Sequence, residues 1–405
     1  MKSRPAVPII MLALGVFGII TTEMGIIGLL PLLSERYGTS AATTGWLVSI
    51  FALVVAITGP VTTLLASRLN RKSILLASIG LFAIANVAMA LSSRFEVSLI
   101  CRVIPALAHP VFFAIAITTA ASMVPPAGAG RAVTKVFAGV TLGFAFGIPV
   151  SSFLAERFSV ETAFIATAVV NAVAFIGLLI YLPAIPADSP ISYGDQLRIL
   201  RRPTLWLNII TVVFIFAAMF SGFSYFADYL GTVSGLPGTA VSALLLAFGV
   251  FMVFGNFVFG ALRMKNLVRT MIAFPLLYIA LYAVVALLGA YGFAMTGVVI
   301  VWGLVHSGGL ILSQAWLGID TQDAPEFGNS LFISFSNLGI TLGAAVGGWF
   351  ISVLGPQWLP LAGAVFAGLA AVFIAIRLAI FPAFAVDVVH QGPGTAPEML
   401  PAGSQ

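Results

Sequence analysis

The sequence predicts an all-α integral membrane protein of twelve transmembrane helices arranged as two pseudo-symmetric six-helix bundles. Three observations lead there. Of 405 residues, 60% are hydrophobic and only 8% charged, whereas an ordinary soluble domain carries about 25% charged residues, so the surplus apolar surface must face lipid. The apolar residues fall into runs that each approach the roughly 20 residues needed to cross about 30 Å of hydrocarbon. A faint internal repeat then divides those runs into two sets of six.

In chain order the spans are expected at 8–30, 44–66, 73–92, 98–122, 132–154, 161–183, 205–230, 238–262, 268–289, 293–317, 328–351 and 358–381. Turn and charge signals separate them, among them Ser34 to Ser40, Arg68 to Ser73, Pro125 to Arg131 and Leu262 to Val268. The stretch Met1 to Pro8 carries Lys2 and Arg4 ahead of a run too long for a signal-peptide core, which reads as a retained first helix. The longest internal loop, Pro183 to Pro203, follows the sixth span. The expected organisation is therefore a first bundle at 1–183, a cytoplasmic linker at 184–204, a second bundle at 205–383 and a flexible tail at 384–405. In that tail Pro393, Gly394, Pro397 and Pro401 interrupt any apolar periodicity.

An even number of spans returns both termini to one side, and the basic residues say which. With a cytoplasmic N-terminus, fourteen of the 18 Lys and Arg residues fall on the cytoplasmic side and only Arg36, Arg94 and Arg157 on the other, with Arg102 inside a span. That is the positive-inside pattern. Asp320, Asp323 and Glu326 form an acidic cytoplasmic loop, which weighs little in that rule. The net charge of +5 does not indicate nucleic acid, because the cations lie between apolar runs. A single cysteine, Cys101, excludes a disulfide framework and a Cys-based metal cluster, and two span histidines without a carboxylate close in sequence make only a weak metal signal.

The repeat rests on three echoes. Gly139, Gly143 and Gly147 of the fifth span recur as Gly339, Gly343 and Gly347 of the eleventh, His109 of the fourth as His306 of the tenth, and Arg68-Leu69-Asn70-Arg71-Lys72 more weakly as Arg263-Met264-Lys265-Asn266. The offsets are 200, 197 and 195 residues. Two similar halves around a midplane site is the arrangement in which one half rocks against the other.

Glycines four apart share a helix stripe that lets backbones approach closely. The stripe from Gly139 to Gly147, followed by the bend expected at Pro149, is read as a sliding contact between the halves. For Gly339, Gly343 and Gly347 ordinary helix packing is an equal alternative, and Asn337 beside them favours a helix junction.

Charges inside hydrocarbon usually face a cavity or a partner. Glu23 in the first span and Arg102 in the fourth lie at similar depth, so they can pair; Glu23 is the candidate proton carrier, and a fixed ion pair is the plainer alternative. Arg102 is a candidate for tuning Glu23, for contacting an anionic substrate group, or for structure. Asp228, in Phe226-Ala227-Asp228-Tyr229 at the end of the seventh span, is a further proton-coupling candidate or a simple helix-end carboxylate. His109 and His306 lie near the midplane as substrate donors, proton relays or packing residues. Gln314, Asn208, Asn171, Asn256 and Asn337 offer hydrogen bonds to a cavity or between helices. Phe112, Phe113, Phe220, Phe223 and Tyr225 are candidate cavity walls among 33 phenylalanines, and Trp46, Trp349 and Trp358 near span ends read as interface anchors.

Together these motifs resemble the major facilitator superfamily, and within it the drug:proton antiporter branch, particularly the bacterial arabinose, purine-ribonucleoside and chloramphenicol efflux permeases. The resemblance runs from Thr22-Glu23-Met24 and Gly28-Leu29-Leu30-Pro31 to the last span, and includes Phe220 to Tyr225 and Gly328 to Gly339. Ser67-Arg68-Leu69-Asn70-Arg71-Lys72 resembles the superfamily signature between helices two and three, with Ser67 and Asn70 where aspartate and glycine are usual. The resemblance implies that Arg68, Arg71 and Lys72 form a cytoplasmic gate, that Arg102 takes part in proton coupling, and that Gly139 to Pro149 is an abbreviated antiporter signature associated with export. It implies a monomeric, cofactor-free exporter of a small neutral or amphiphilic solute or drug, driven by the proton gradient across the bacterial inner membrane. Import of a small solute is the nearest alternative, and a non-transporting receptor or scaffold is a different one. An enzyme is disfavoured because no helix carries clustered carboxylates, a ligand array or an activated nucleophile.

Overall fold

The computed structural model describes residues 6–39, 41–66, 69–183 and 193–381. Thirteen α-helices run through them: α1 (Ala6–Tyr37), α2 (Ala41–Ala66), α3 (Arg71–Leu91), α4 (Phe95–Ser122), α5 (Pro126–Arg157), α6 (Val160–Tyr181), α7 (Tyr193–Arg198), α8 (Pro203–Phe223), α9 (Phe226–Thr232), α10 (Gly238–Leu288), α11 (Gly292–Gly318), α12 (Pro325–Leu354) and α13 (Leu359–Ile380). Among the described residues eleven helices are long and apolar enough to cross a membrane, with α8 and α9 counting as one.

The expected eighth and ninth spans are joined in α10, which has 51 residues. At 1.5 Å per residue a straight helix of that length would measure about 76 Å, more than twice the hydrocarbon thickness. It is not straight: Asn266 leaves helical geometry at φ −164°, ψ 98°, and its Oδ1 accepts from the Arg269 amide at 2.8 Å to cap the second limb. The other helix starts use familiar local chemistry. Asn70 caps α3 through the Ser73 amide and Ser159 caps α6 through the Thr162 amide, while proline opens α5, α8 and α12, where the missing N–H costs nothing. Gly355 ends α12 at φ 96°, a conformation open to glycine.

Neighbour relations repeat between the first half of the chain (α1–α6) and the second (α8–α13). α1 packs most closely on α5, and α8 on α12. The glycine stripes create both contacts. A Cβ on Gly139 would run into the Ala13 carbonyl, and one on Gly143 would lie 2.5 Å from Ile20 Cγ2. On the other side, Cβ atoms on Gly339, Gly343 and Gly347 would meet the carbonyls of Val213, Ala217 and Ser221, at 2.5, 2.5 and 2.6 Å. The expectation that Gly139, Gly143 and Gly147 form the contact between halves is therefore corrected. These glycines seat each half on its own first helix, because a helix needs small residues wherever its closest neighbour lies, and that neighbour is α1.

The halves meet instead where α2 packs on α12 and α5 on α10. The close approaches there belong to other glycines. Gly59 of α2 faces the Ser334 side chain and Gly249 of α10 faces the Ala145 carbonyl, each with no room for a Cβ. Two hydrogen bonds cross the same seams, Ser334 Oγ to the Val55 carbonyl at 3.2 Å and Asn256 Nδ2 to Thr141 Oγ1 at 2.6 Å.

The acidic loop after α11 is pinned rather than free. Asp320 accepts from Asn208 Nδ2 at 2.7 Å and lies 3.7 Å from the Arg377 guanidinium, while Arg202 donates to the Asp320 carbonyl at 2.7 Å and pairs with Asp323. Trp46, Trp349 and Trp358 are exposed near helix ends, where anchors belong.

Replacing Gly143 with leucine is expected to force α1 from α5 and destabilise the protein by about 1–3 kcal/mol, the usual cost of overpacking. Gly130→Ala, with nothing within 4 Å of the added carbon, should leave thermal unfolding in detergent unchanged. Equal melting of the two variants would contradict the stripe's role.

Candidate functional site

The middle of α1, from Thr21 to Ile26, is buried on every side, so each polar group there must be satisfied by the protein. Thr22 Oγ1 donates to the Gly18 carbonyl at 2.8 Å and accepts from Asn86 Nδ2 at 2.9 Å and Asn171 Nδ2 at 3.1 Å. One hydroxyl thus joins α1, α3 and α6. Arg102, 1% exposed, spends its fork on main-chain oxygens: Nε on Leu47 at 2.8 Å, Nη1 on Thr22 at 2.7 Å and Nη2 on Glu23 at 3.0 Å. Its guanidinium carbon also lies 4.4 Å from the Phe51 ring centroid.

The Glu23–Arg102 pairing expected from equal depth is corrected by this geometry. The guanidinium takes the backbone oxygen of Glu23 and leaves the carboxylate to another partner. Glu23 Oε2 lies 3.0 Å from His109 Nε2, both side chains deeply buried, though outside hydrogen-bond angles. The imidazole is boxed by Phe51 and Phe113, with ring centroids 5.5 and 4.7 Å away. A carboxyl beside an imidazole in a dry pocket can hold one proton between two sites.

Both residues open onto a cleft built from six helices. Glu23 and Met24 come from α1, His109 and Phe113 from α4, Phe137 and Phe144 from α5, Phe216 from α8, Gln314 from α11, and Asn329, Phe332, Ser336 and Asn337 from α12. About 540 Å³ of empty space lies between these walls, counted out through the mouth of the cleft. Its walls are mostly apolar, aliphatic and aromatic side chains together, and among the described residues Glu23 is the only carboxylate that lines it and neither Lys nor Arg does. It runs from the Glu23–His109 pair toward the end of the bundle where α12 begins and α11 ends.

His109, Phe113, Gln314 and Asn337 thus line the cleft as the sequence suggested. Several other candidates do not. Phe112 is buried against Gly15 of α1. His306 Nδ1 shares a hydrogen bond of 2.8 Å with Tyr278 Oη, and the ring sits among Phe220, Phe223 and Phe248. Tyr225, between α8 and α9, donates to the Ala344 carbonyl of α12 at 2.9 Å. Asp228 is exposed in the first turn of α9, away from the cleft. Lys72 caps the end of α6 through the carbonyls of Leu179 and Leu182, at 2.8 and 2.6 Å, and Arg71 opens α3; Arg68 lies outside the described residues. Pro149 is buried in α5, two residues beyond the stripe.

Sequence reasoning missed Phe144, Phe216, Asn329, Phe332 and Ser336. For α12 the signal was present: positions 329, 332, 333, 336, 337 and 340 recur at helical spacing along one face, and that face is the cleft wall. No comparable pattern marks Phe144 or Phe216. Asn86, which completes the Thr22 junction, also went unnoticed inside an apolar run.

Long apolar helices around a cleft shared by both halves of the chain define a multi-pass membrane transporter. Among the described residues no three His, Cys, Asp or Glu side chains gather as a metal site. The chain belongs to the Major Facilitator Superfamily, whose family profile matches residues 12–323, and it is a transporter of that type moving a small solute across a membrane. It is 31% identical to the inner membrane transport protein YdhP of Escherichia coli (strain K12), over 91% of this chain and 95% of that protein. It is 30% identical to a chloramphenicol resistance protein of Streptomyces lividans, over 87% of this chain and 92% of that protein.

A charged hydrogen bond is worth roughly 1.5–3 kcal/mol. Arg102→Lys, whose single ammonium cannot span three carbonyls on two helices, is expected to lose at least that much stability. Its unfolding temperature in detergent, measured against the intact chain, checks this; an unchanged value would remove Arg102 from the structural account.

Proposed function

We propose that the protein exports a small neutral or amphiphilic solute from the cytoplasm of a bacterial cell, as a monomer without a cofactor, in exchange for protons. In this reading α10 crosses the membrane twice, bending at Asn266, so that twelve spans form two six-helix bundles at 1–183 and 205–383, joined by a linker at 184–204. The charge bias puts both termini in the cytoplasm of an inner membrane, and the cleft then opens inward. What carries the proposal is the Glu23–His109 contact of 3.0 Å, placed in a cleft that both halves line.

The coupling follows from differential affinity. With the pair lacking its extra proton, the Glu23 carboxylate is a buried charge that favours a hydrated or cargo-filled cleft. Protonation from outside neutralises it, and the emptied cleft can close and return inward. Cargo arriving from the cytoplasm favours proton release and outward closure. Each ligand shifts the same two-state equilibrium in opposite directions. Aromatic walls with Gln314, Asn329 and Asn337 suit a solute with an apolar body and neutral polar groups. The absence of a lining cation disfavours an anion. Gly59 and Gly249, at the seams, would be the places where the halves slide, with Arg71 and Lys72 steadying the cytoplasmic end of the first bundle.

The test uses proteoliposomes with an imposed pH gradient and candidate amphiphiles. The intact protein is expected to move solute against the direction of proton flow. Glu23→Gln should lose gradient-driven movement, falling to protein-free liposomes, while retaining solute exchange at equal pH. Gradient-driven transport that persists in Glu23→Gln would sink the coupling role, and net movement of solute with the protons would replace export by import.

A further inference from the structure

The second half lines the cleft chiefly with α12, and the polar groups on that face are unevenly matched. Ser336 and Asn337 stand there side by side, 5 and 4% exposed. Each turns its donor back onto its own helix: Ser336 Oγ donates to the Ile333 carbonyl at 2.9 Å, and Asn337 Nδ2 donates to the same carbonyl at 2.9 Å. The second bond fixes which way the amide points, because a reversed amide would set its oxygen against the Ile333 oxygen. Asn337 Oδ1 is left as the free end, and no donor among the described residues reaches it.

An amide oxygen shut off from bulk water without a partner is costly, and native structures keep few of them. Gln314 and Asn329, the other amides on the cleft walls, are half-buried, where water can serve them. Asn337 stands about 12 Å farther along α12 than Asn329, at 1.5 Å per residue. What this wall can still offer is acceptors: Asn337 Oδ1, and the lone pairs of Ser336 Oγ, whose proton is already engaged. From the first half the Glu23 carboxylate accepts as well, and among the described residues no Lys or Arg lines the cleft to answer any of them.

We infer that Asn337 is a specificity-determining residue of the cleft, whose Oδ1 accepts a hydrogen bond from an O–H or N–H group of the cargo. The class of cargo narrows accordingly, to apolar bodies that carry a hydroxyl or an amide N–H. An ether, a ketone or a fully substituted amide leaves the oxygen unpaired and is discriminated against. A site built to pair a donor rejects the analogue lacking it more sharply than an apolar pocket rejects a change of size. The inference rests on the cleft being the cargo site, and is independent of the direction of transport and of its coupling to protons.

Benzamide and N,N-dimethylbenzamide serve as probes, since both are uncharged aromatic amides and only the first has N–H donors. Equilibrium binding of each to the purified full chain in detergent, with no pH gradient, gives a ratio of dissociation constants. The intact chain should favour benzamide about tenfold, the effect of one buried hydrogen bond. N337L, which keeps the size of the side chain without its oxygen, should bring the ratio near one and leave the affinity for N,N-dimethylbenzamide unchanged. N337D, which keeps an acceptor, should retain the preference. If N337L does not fold, N337A carries the same test. Failure of the intact chain to favour benzamide, whether by equal binding or by none, leaves Oδ1 to a buried water and overturns the inference. A preference that survives in N337L or N337A overturns it too, by assigning the selection to Glu23 or to the bulk of the methyl groups, as does its loss in N337D. Export and proton coupling are read separately, from gradient-driven movement in Glu23→Gln, so the two readings fail on different measurements.

Discussion

A guanidinium enclosed in an apolar bundle must find acceptors within reach, and Arg102 finds three in the backbones of α1 and α2. Much of the first half depends on this choice. Because the cation is satisfied by main-chain oxygens, α1, α2 and α4 are held at a fixed separation without consuming any acidic side chain. The Glu23 carboxylate is left to turn away from Arg102 and meet His109. Had the two side chains paired directly, the cleft would hold a structural ion pair in place of the Glu23–His109 contact.

The two halves share a backbone plan and differ in chemistry. The repeat offset that relates His109 to His306 carries Glu23 onto Phe220. In the first half the imidazole meets a carboxylate; in the second it meets Phe220 at 5.6 Å between centroids, and Tyr278 takes its Nδ1. The second histidine is thereby fixed inside an aromatic cluster, with its ring sealed from the cleft. The duplicated frame thus carries a buried carboxylate beside its histidine in one half and an aromatic cluster around the matching histidine in the other. Phe144 of α5, which lines the cleft, packs on that cluster through Phe220, with ring centroids 6.1 Å apart.

Composition and run length made the fold class legible, because lipid imposes a coarse rule on every residue. The repeat was legible through Gly139, Gly143 and Gly147 and their counterparts, since close packing tolerates few alternatives to glycine. What those glycines touch was not legible: spacing gives a stripe, and only the fold says which neighbour it faces. The same limit applies to Arg102, whose depth was evident but whose acceptors are backbone atoms that no side-chain pattern announces. Among 33 phenylalanines, nothing in the sequence distinguishes Phe113, in the cleft, from Phe112, one residue away and pointing elsewhere. Asn266 shows the converse. Its neighbours looked like a loop, yet the chain needs only one residue outside helical geometry to turn there.

Asp320 gathers the start of α8 through Asn208, the residue just before α8 through Arg202, and α13 through Arg377. Three segments far apart in sequence thus share one anchorage at the foot of the second half. A displacement of Arg202 is therefore felt at Asp320 and shared with Arg377 of α13 as well as with α8.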